Sequence, residues 1–216
     1  MGYFSSKTGK PSAAAIKTLQ SRDPVMRKLI HRVGIFEIPR SARTFRTLAE
    51  SIMYQQLSGK AAATIISRWR KLWPKTSFPS PQQVLHMRAS RMKKVGVSRQ
   101  KISYLKDLSR KTLSGYVAIK TLSSLNDEAV IQHLVAVKGI GRWTAEMFLM
   151  FALGRHDVFP VDDMGIQKAI VRAYGLRSKP SKDRMQKMAE RWRPYRTLAS
   201  LYLWRSVDQT PLEKVE

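Results

Sequence analysis

The chain has 216 residues, 43% of them hydrophobic, which is enough apolar material for one ordinary domain or two small lobes with buried cores. Forty Lys and Arg against fifteen Asp and Glu leave a formal charge of +25, far beyond what solubility requires, and point to a polyanionic partner. The lack of cysteine excludes disulfides, thiolate metal sites, iron–sulfur clusters and a cysteine nucleophile, and fits a reducing compartment.

The first dozen residues, rich in Ser, Lys and Gly, read as a flexible basic arm. Their opening "MGYFSS" meets the loose pattern for N-myristoylation at Gly2, a short and common pattern that carries little weight. No signal-peptide core follows, and no apolar run is long enough to span a bilayer. Phe45, Leu48, Ala49, Ile52 and Met53 repeat at the spacing of one buried helix face. Beyond the polar break "QQLSGK", Ala62, Ile65, Ile66, Trp69 and Trp73 do the same, so both tryptophans read as core. Ser80 with Pro81 opens another helix, and the basic run over residues 91–101 carries one glycine turn and offers a phosphate contact. Ile102, Leu105 and Leu108 mark the next helix, ending near Gly115. Asn126 caps a helix through about Val135, with Asp127 and Glu128 at its positive end. "MFLMFAL" is apolar all round and predicts a buried helix, and a last helix over residues 195–207 carries Leu198, Leu201 and Trp204. The four histidines show no metal-ligand spacing. With no alternation of period two and no repeat, the predicted fold is all-α, with a helical core over residues 41–153 beside a second lobe made of residues 1–40 and 154–216.

"VAVKGIGRWTAEM" joins two of these helices through Gly139 and Gly141, which permit a tight turn with positive φ. Backbone N–H groups of such a turn and of the helix it opens point outward together and bind an anion such as phosphate. Carbonyls on its other side could hold a monovalent cation. A plain helix–helix connection is the bland alternative. Further on, "VFPVDDMGI" keeps two acids adjacent in a basic chain. Both can cap the helix beginning near Met164, and capping is the reading for Asp162.

"LVAVKGIGRWTAEMFLMFALGRHDVFPVDD" resembles the helix-hairpin-helix DNA glycosylases, and "KGIGRWTAEM" and "DVFPVDDMGI" are most similar to their alkylbase branch, the 3-methyladenine DNA glycosylase II type. The likeness extends to "YQQLSGKAA" and "RWRPYRTLASLYLW", while the extra N-terminal domain of longer members has no room, so the compact form is expected. The resemblance implies an active-site cleft between two helical lobes, with Asp163 as the catalytic carboxylate. It places Trp143, Trp204 and Met147 in the base pocket, Met147 where the best-known relative has a tyrosine. Leu57 becomes the wedge inserted into DNA and Gln56 the plug beside it, against a core Leu as the alternative. Gly139, Gly141, Arg142 and Thr144 become the phosphate contacts. Carbonyls of Val135, Val137 and Ile140 would hold Na+ or K+, and no other cofactor is implied. Trp143 stands where strand-cutting members carry a nucleophilic lysine, so water is the expected nucleophile and a monofunctional enzyme the expectation. The implied partner is double-stranded DNA with damaged bases, met by a monomer in bacterial cytoplasm or a nucleus. The same scaffold acting on another damaged or mismatched base, and a non-catalytic DNA-binding module, remain the competing readings.

Overall fold

A computed structural model of the protein describes residues 5–74, 76 and 78–208. Gly2 and its acylation pattern lie outside the described residues. The helices in chain order are α1 (Ala13–Arg22), α2 (Pro24–Val33), α3 (Phe45–Tyr54), α4 (Gly59–Lys71), α5 (Pro81–His86), α6 (Ala89–Lys94), α7 (Arg99–Leu113), α8 (Asp127–Val135) and α9 (Arg142–Met147). The helix α9 runs on as a π-helical turn over Phe148–Leu153, and α10 (Met164–Ala173), α11 (Lys182–Ala189) and α12 (Arg196–Asp208) follow. The fold is therefore all-α, as read from the periodicity. One departure is a two-stranded sheet of β1 (Ser5–Gly9) and β2 (Ile38–Arg40). The first dozen residues read as a flexible arm thus contain a strand. Its sequence "SSKTG" has no apolar alternation, so only pairing with a distant partner reveals it.

Helix starts follow local chemistry. Ser12, Thr44, Ser58, Ser98, Asn126 and Ser181 each accept a backbone N–H in the first turn of the helix they open. Ser80 forms a full capping box with Gln83, and Pro81 follows at the first helical position.

The chain separates into two compact units, the first built largely from Arg40–Leu153, the second from Thr8–Pro39 and Gly154–Glu216. In the first, α7 packs on α3 and α5, α3 on α4, and α8 on α9. Leu48, Ile52, Trp69, Leu105, Leu108 and Leu134 form its interior, and Phe148 to Leu153 are all buried, as an all-apolar segment must be. In the second, α12 packs on α2 and α10, and α1 on α2. Asp23 is fully buried there. Its Oδ1 caps α2 through Val25 and Met26, while Oδ2 accepts Trp192 Nε1 at 2.8 Å and the Tyr174 hydroxyl. Burial, and then this bond to Asp23, push the Tyr174 phenol far above its ordinary range.

Candidate active site

The loop before α10 is built by α12. Thr197 Oγ1 donates to Arg155 O at 2.8 Å and accepts Val158 N–H at 3.0 Å, while Thr197 N–H donates to His156 O. Beside it the Arg196 guanidinium grips Asp157, Nε to Oδ1 at 2.7 Å and Nη2 to Oδ2 at 3.1 Å. Val158, Phe159 and Pro160 then sink into the interior and bring the two aspartates to the head of α10.

Asp163, not Asp162, caps α10: its Oδ1 accepts the Ile166 N–H at 2.8 Å. The same oxygen accepts the indole N–H of Trp204 at 2.7 Å. Trp204 lies seven residues beyond Thr197, two turns along α12, so the helix that pins the start of the loop also fixes the carboxylate at its end. Asp162 is 43% exposed and paired with Lys182 Nζ at 2.5 Å, which corrects the capping role read for it. Either acid is an adequate cap, and donors from α11 and α12 assign their places. Gly165, which sequence reasoning passed over, completes the arrangement. A Cβ there would stand 3.0 Å from both Asp163 Oδ1 and Trp204 Cδ1. The available signal was a glycine in the first turn of a helix, where it costs about 0.5–1 kcal/mol against Ala.

On the first unit, α8 and α9 meet through the turn at residues 136–141. Gly139 has φ 82°, whereas Gly141 has φ −89°, so Gly139 is the positive-φ glycine of the turn. Gly141 has no side chain to cap α9, unlike the Ser, Thr, Asp and Asn residues that cap α1 to α5, α7, α8, α10 and α11, and its first-turn N–H groups gain no cap from it. Tyr104 lies directly beneath: a Cβ at Gly139 would come 2.0 Å from its ring. The Arg142 guanidinium is held by Glu128 Oε2 at 2.9 Å and Glu146 Oε1 at 3.3 Å. The hydrogen bond and charge of Glu128 raise the arginine above its usual value. Thr144 is buried, Met147 half-buried and Trp143 44% exposed.

Leu57 is 38% exposed and is not a core residue. It follows Gln56, which has φ 54° and is the single non-glycine with positive φ among the described residues. The catalytic and base-pocket residues of the sequence reading are thus divided, with Asp163 and Trp204 in contact in the second unit and Trp143 and Met147 in the first. A surface cavity of 650 Å³ lined by Tyr54, Ile66, Arg70 and Trp73 holds none of the predicted site residues.

Two helices joined by a glycine turn, the second with no side-chain cap, place the protein in the helix-hairpin-helix class. The chain belongs to the HhH-GPD superfamily of base excision DNA repair proteins, whose pattern matches residues 49–194. It is 34% identical to DNA-3-methyladenine glycosylase 1 of Schizosaccharomyces pombe over 87% of this chain and 84% of that protein. A solved structure of the 3-methyladenine DNA glycosylase of that yeast with abasic DNA superposes with a TM-score of 0.81 at 32% identity, covering 94% of this chain and all of the other. The DNA-3-methyladenine glycosidase of Bacillus halodurans gives a TM-score of 0.84 at 34% identity, over 93% and 92% of the two chains. No helix among the described residues is long and apolar enough to cross a membrane.

Proposed function

We propose that the protein is a monofunctional DNA glycosylase that releases alkylated purines of the 3-methyladenine type from double-stranded DNA, with Asp163 as its catalytic carboxylate. The observation that carries this reading is the double anchoring of Asp163 Oδ1 by Ile166 N–H and Trp204 Nε1, which fixes an acid at a helix head where its direction is set by the fold. The names of the yeast and bacterial relatives supply the substrate class.

Breaking an N-glycosidic bond leaves positive charge on the sugar. At ~4 Å and an effective dielectric of ~20, one carboxylate stabilises that charge by roughly 4 kcal/mol. Alkylation at N3 or N7 already makes the purine cationic and a good leaving group, so a second acid is not required. Indole faces of Trp143 and Trp204 attract such a base by their quadrupoles, worth about 0.5–2 kcal/mol, and Met147 shapes the pocket. Water is the nucleophile, because indole at Trp143 offers no amine. Gly139, Gly141, Arg142 and Thr144 hold a phosphate through backbone N–H groups, the Arg142 side chain being occupied by two glutamates. Leu57 and Gln56 fill the gap left by the displaced nucleotide. Carbonyls of Val135, Val137 and Ile140 are oxygen donors that suit a monovalent cation, although Val137 O already accepts Ile140 N–H at 3.0 Å. The protein acts as a monomer, wherever the cell keeps its DNA.

The test is chromatography of bases released from methylated DNA. Free 3-methyladenine and intact strands with alkali-labile sites are expected, and no covalent complex on borohydride treatment. Absence of any released base would leave a DNA-binding module, and borohydride trapping would overturn the water mechanism.

A further inference from the structure

Along α7, Lys101, Tyr104, Asp107 and Lys111 are spaced three or four apart and form a stripe beside the apolar residues that bury the helix. Each touches one of two loops. Lys101 Nζ donates to Met53 O at 2.7 Å and Gln55 O at 2.8 Å, supplying a cation to the C-terminal carbonyls of α3 just before Gln56 and Leu57. Tyr104 lies against Gly139, its hydroxyl fixed by Gln100 Nε2 at 2.6 Å. Asp107 Oδ2 accepts Lys138 N–H at 2.9 Å, and Lys111 Nζ donates to Ala136 O at 2.6 Å. The two loops are also tied to one another: Gln55 Nε2 donates to Gly139 O at 2.7 Å.

We propose that Gln55 and Lys101 are positioning residues that lock the Leu57 loop and the glycine hairpin into one rigid piece, so that a phosphate gripped by the hairpin sets where Leu57 enters the duplex. The proposal rests on the reading of Leu57 as the wedge. Gln56 sits in a left-handed conformation, unfavourable for a residue with a Cβ, and it persists only where its surroundings enforce it. The ammonium of Lys101 on one side of Gln56 and the Gln55 amide bond to Gly139 are those surroundings. A displacement of about 1 Å in a positioning group can slow a reaction on the order of a hundredfold, so a loop carrying an inserted side chain gains from being fixed to the point of grip.

The experiment is a double-mutant cycle on single-turnover excision, with the lesion in a paired and in an unpaired context. It compares wild type, Leu57→Ala, Gln55→Leu and the double variant, with melting curves for each. Gln55→Leu is expected to slow excision of the paired lesion on the order of fivefold, the net worth of one neutral hydrogen bond, with a smaller loss on the unpaired lesion. In the Leu57→Ala background the same change is expected to add little, because there is no wedge left to hold. Lys101→Met is expected to follow the same pattern and Lys101→Arg to recover part of the loss. Effects of Leu57→Ala and Gln55→Leu that multiply independently, or a Gln55→Leu enzyme equal to wild type on the paired lesion, overturn the coupling alone. An unchanged rate for Leu57→Ala removes the wedge reading, and the coupling with it. If Gln55→Leu does not fold, Gln55→Met is read by the same criteria.

Discussion

Asp163 Oδ1 caps α10 and accepts the Trp204 indole N–H, and its capping can be separated from the catalysis proposed for it. Asparagine caps a helix about as well as aspartate, so Asp163→Asn should leave the melting temperature and DNA affinity near wild type while base release is lost. A variant that keeps wild-type turnover would remove Asp163 from the chemistry. Asp162→Asn, which loses only an exposed pair with Lys182, should retain most activity. Trp204→Phe keeps an aromatic face but deletes the 2.7 Å donor to Asp163. A hydrogen bond to a charged group is worth about 1.5–3 kcal/mol, so kcat should fall roughly ten- to a hundredfold with little change in KM. A raised KM at constant kcat would instead mean that Trp204 acts only as a stacking surface. Gly165→Ala tests the same pair from the other side: the added methyl meets Oδ1 and the indole at 3.0 Å, so activity should drop although the helix itself is not weakened.

At the scale of elements, the hairpin makes a contrast between its two glycines. Gly139→Ala combines φ 82° with a ring 2.0 Å from the new Cβ, and should lower both melting temperature and affinity for undamaged duplex. Gly141→Ala, at φ −89° with open space around it, should be tolerated by the fold. Equal melting of the two variants would contradict the close packing on Tyr104. Burial alone would raise the Asp107 carboxyl, but hydrogen bonds from Lys111 and the Lys138 N–H, with the charges of Lys111 and Arg110, outweigh it and hold it below the usual range. Its support of the hairpin is therefore present above the ordinary carboxylate pKa of ~3.9 and is lost as pH falls through the lower folded value. Protection of the Lys138 amide, measured against its intrinsic exchange rate, should hold near neutrality and be lost only in strong acid. Elements with local signals were legible in the sequence: the helical faces of α3 and α4, the Ser80 and Asn126 caps, and the buried block after α9. What escaped it depends on distant partners. The choice between Asp162 and Asp163 is made by Trp204 and Lys182, and the choice of Gly139 as the positive-φ residue by the Tyr104 ring. The strand β1 exists only through β2.

At the scale of the whole molecule, the charge excess predicts how the proposed contact with DNA responds to salt. If about five phosphates are neutralised, log K should fall against log salt with a slope near −4 to −5, with weak dependence on sequence. Titrations at several salt concentrations measure this, and a flat response would deny the electrostatic role of the +25 excess. The second unit, meanwhile, is assembled from both sides of the first in sequence, with α12 packed between α2 and α10. During synthesis, Arg40–Leu153 has all its residues long before α12 leaves the ribosome, so the glycine hairpin can form early. Asp163 must wait for Trp204, forty-one residues later, before its second donor exists. On the proposed roles, a nascent or prematurely ended chain would acquire the means to hold a nucleic acid before its acid is set. With Asp163 in its proposed role, order of birth along the chain would postpone bond cleavage until the last helix is in place.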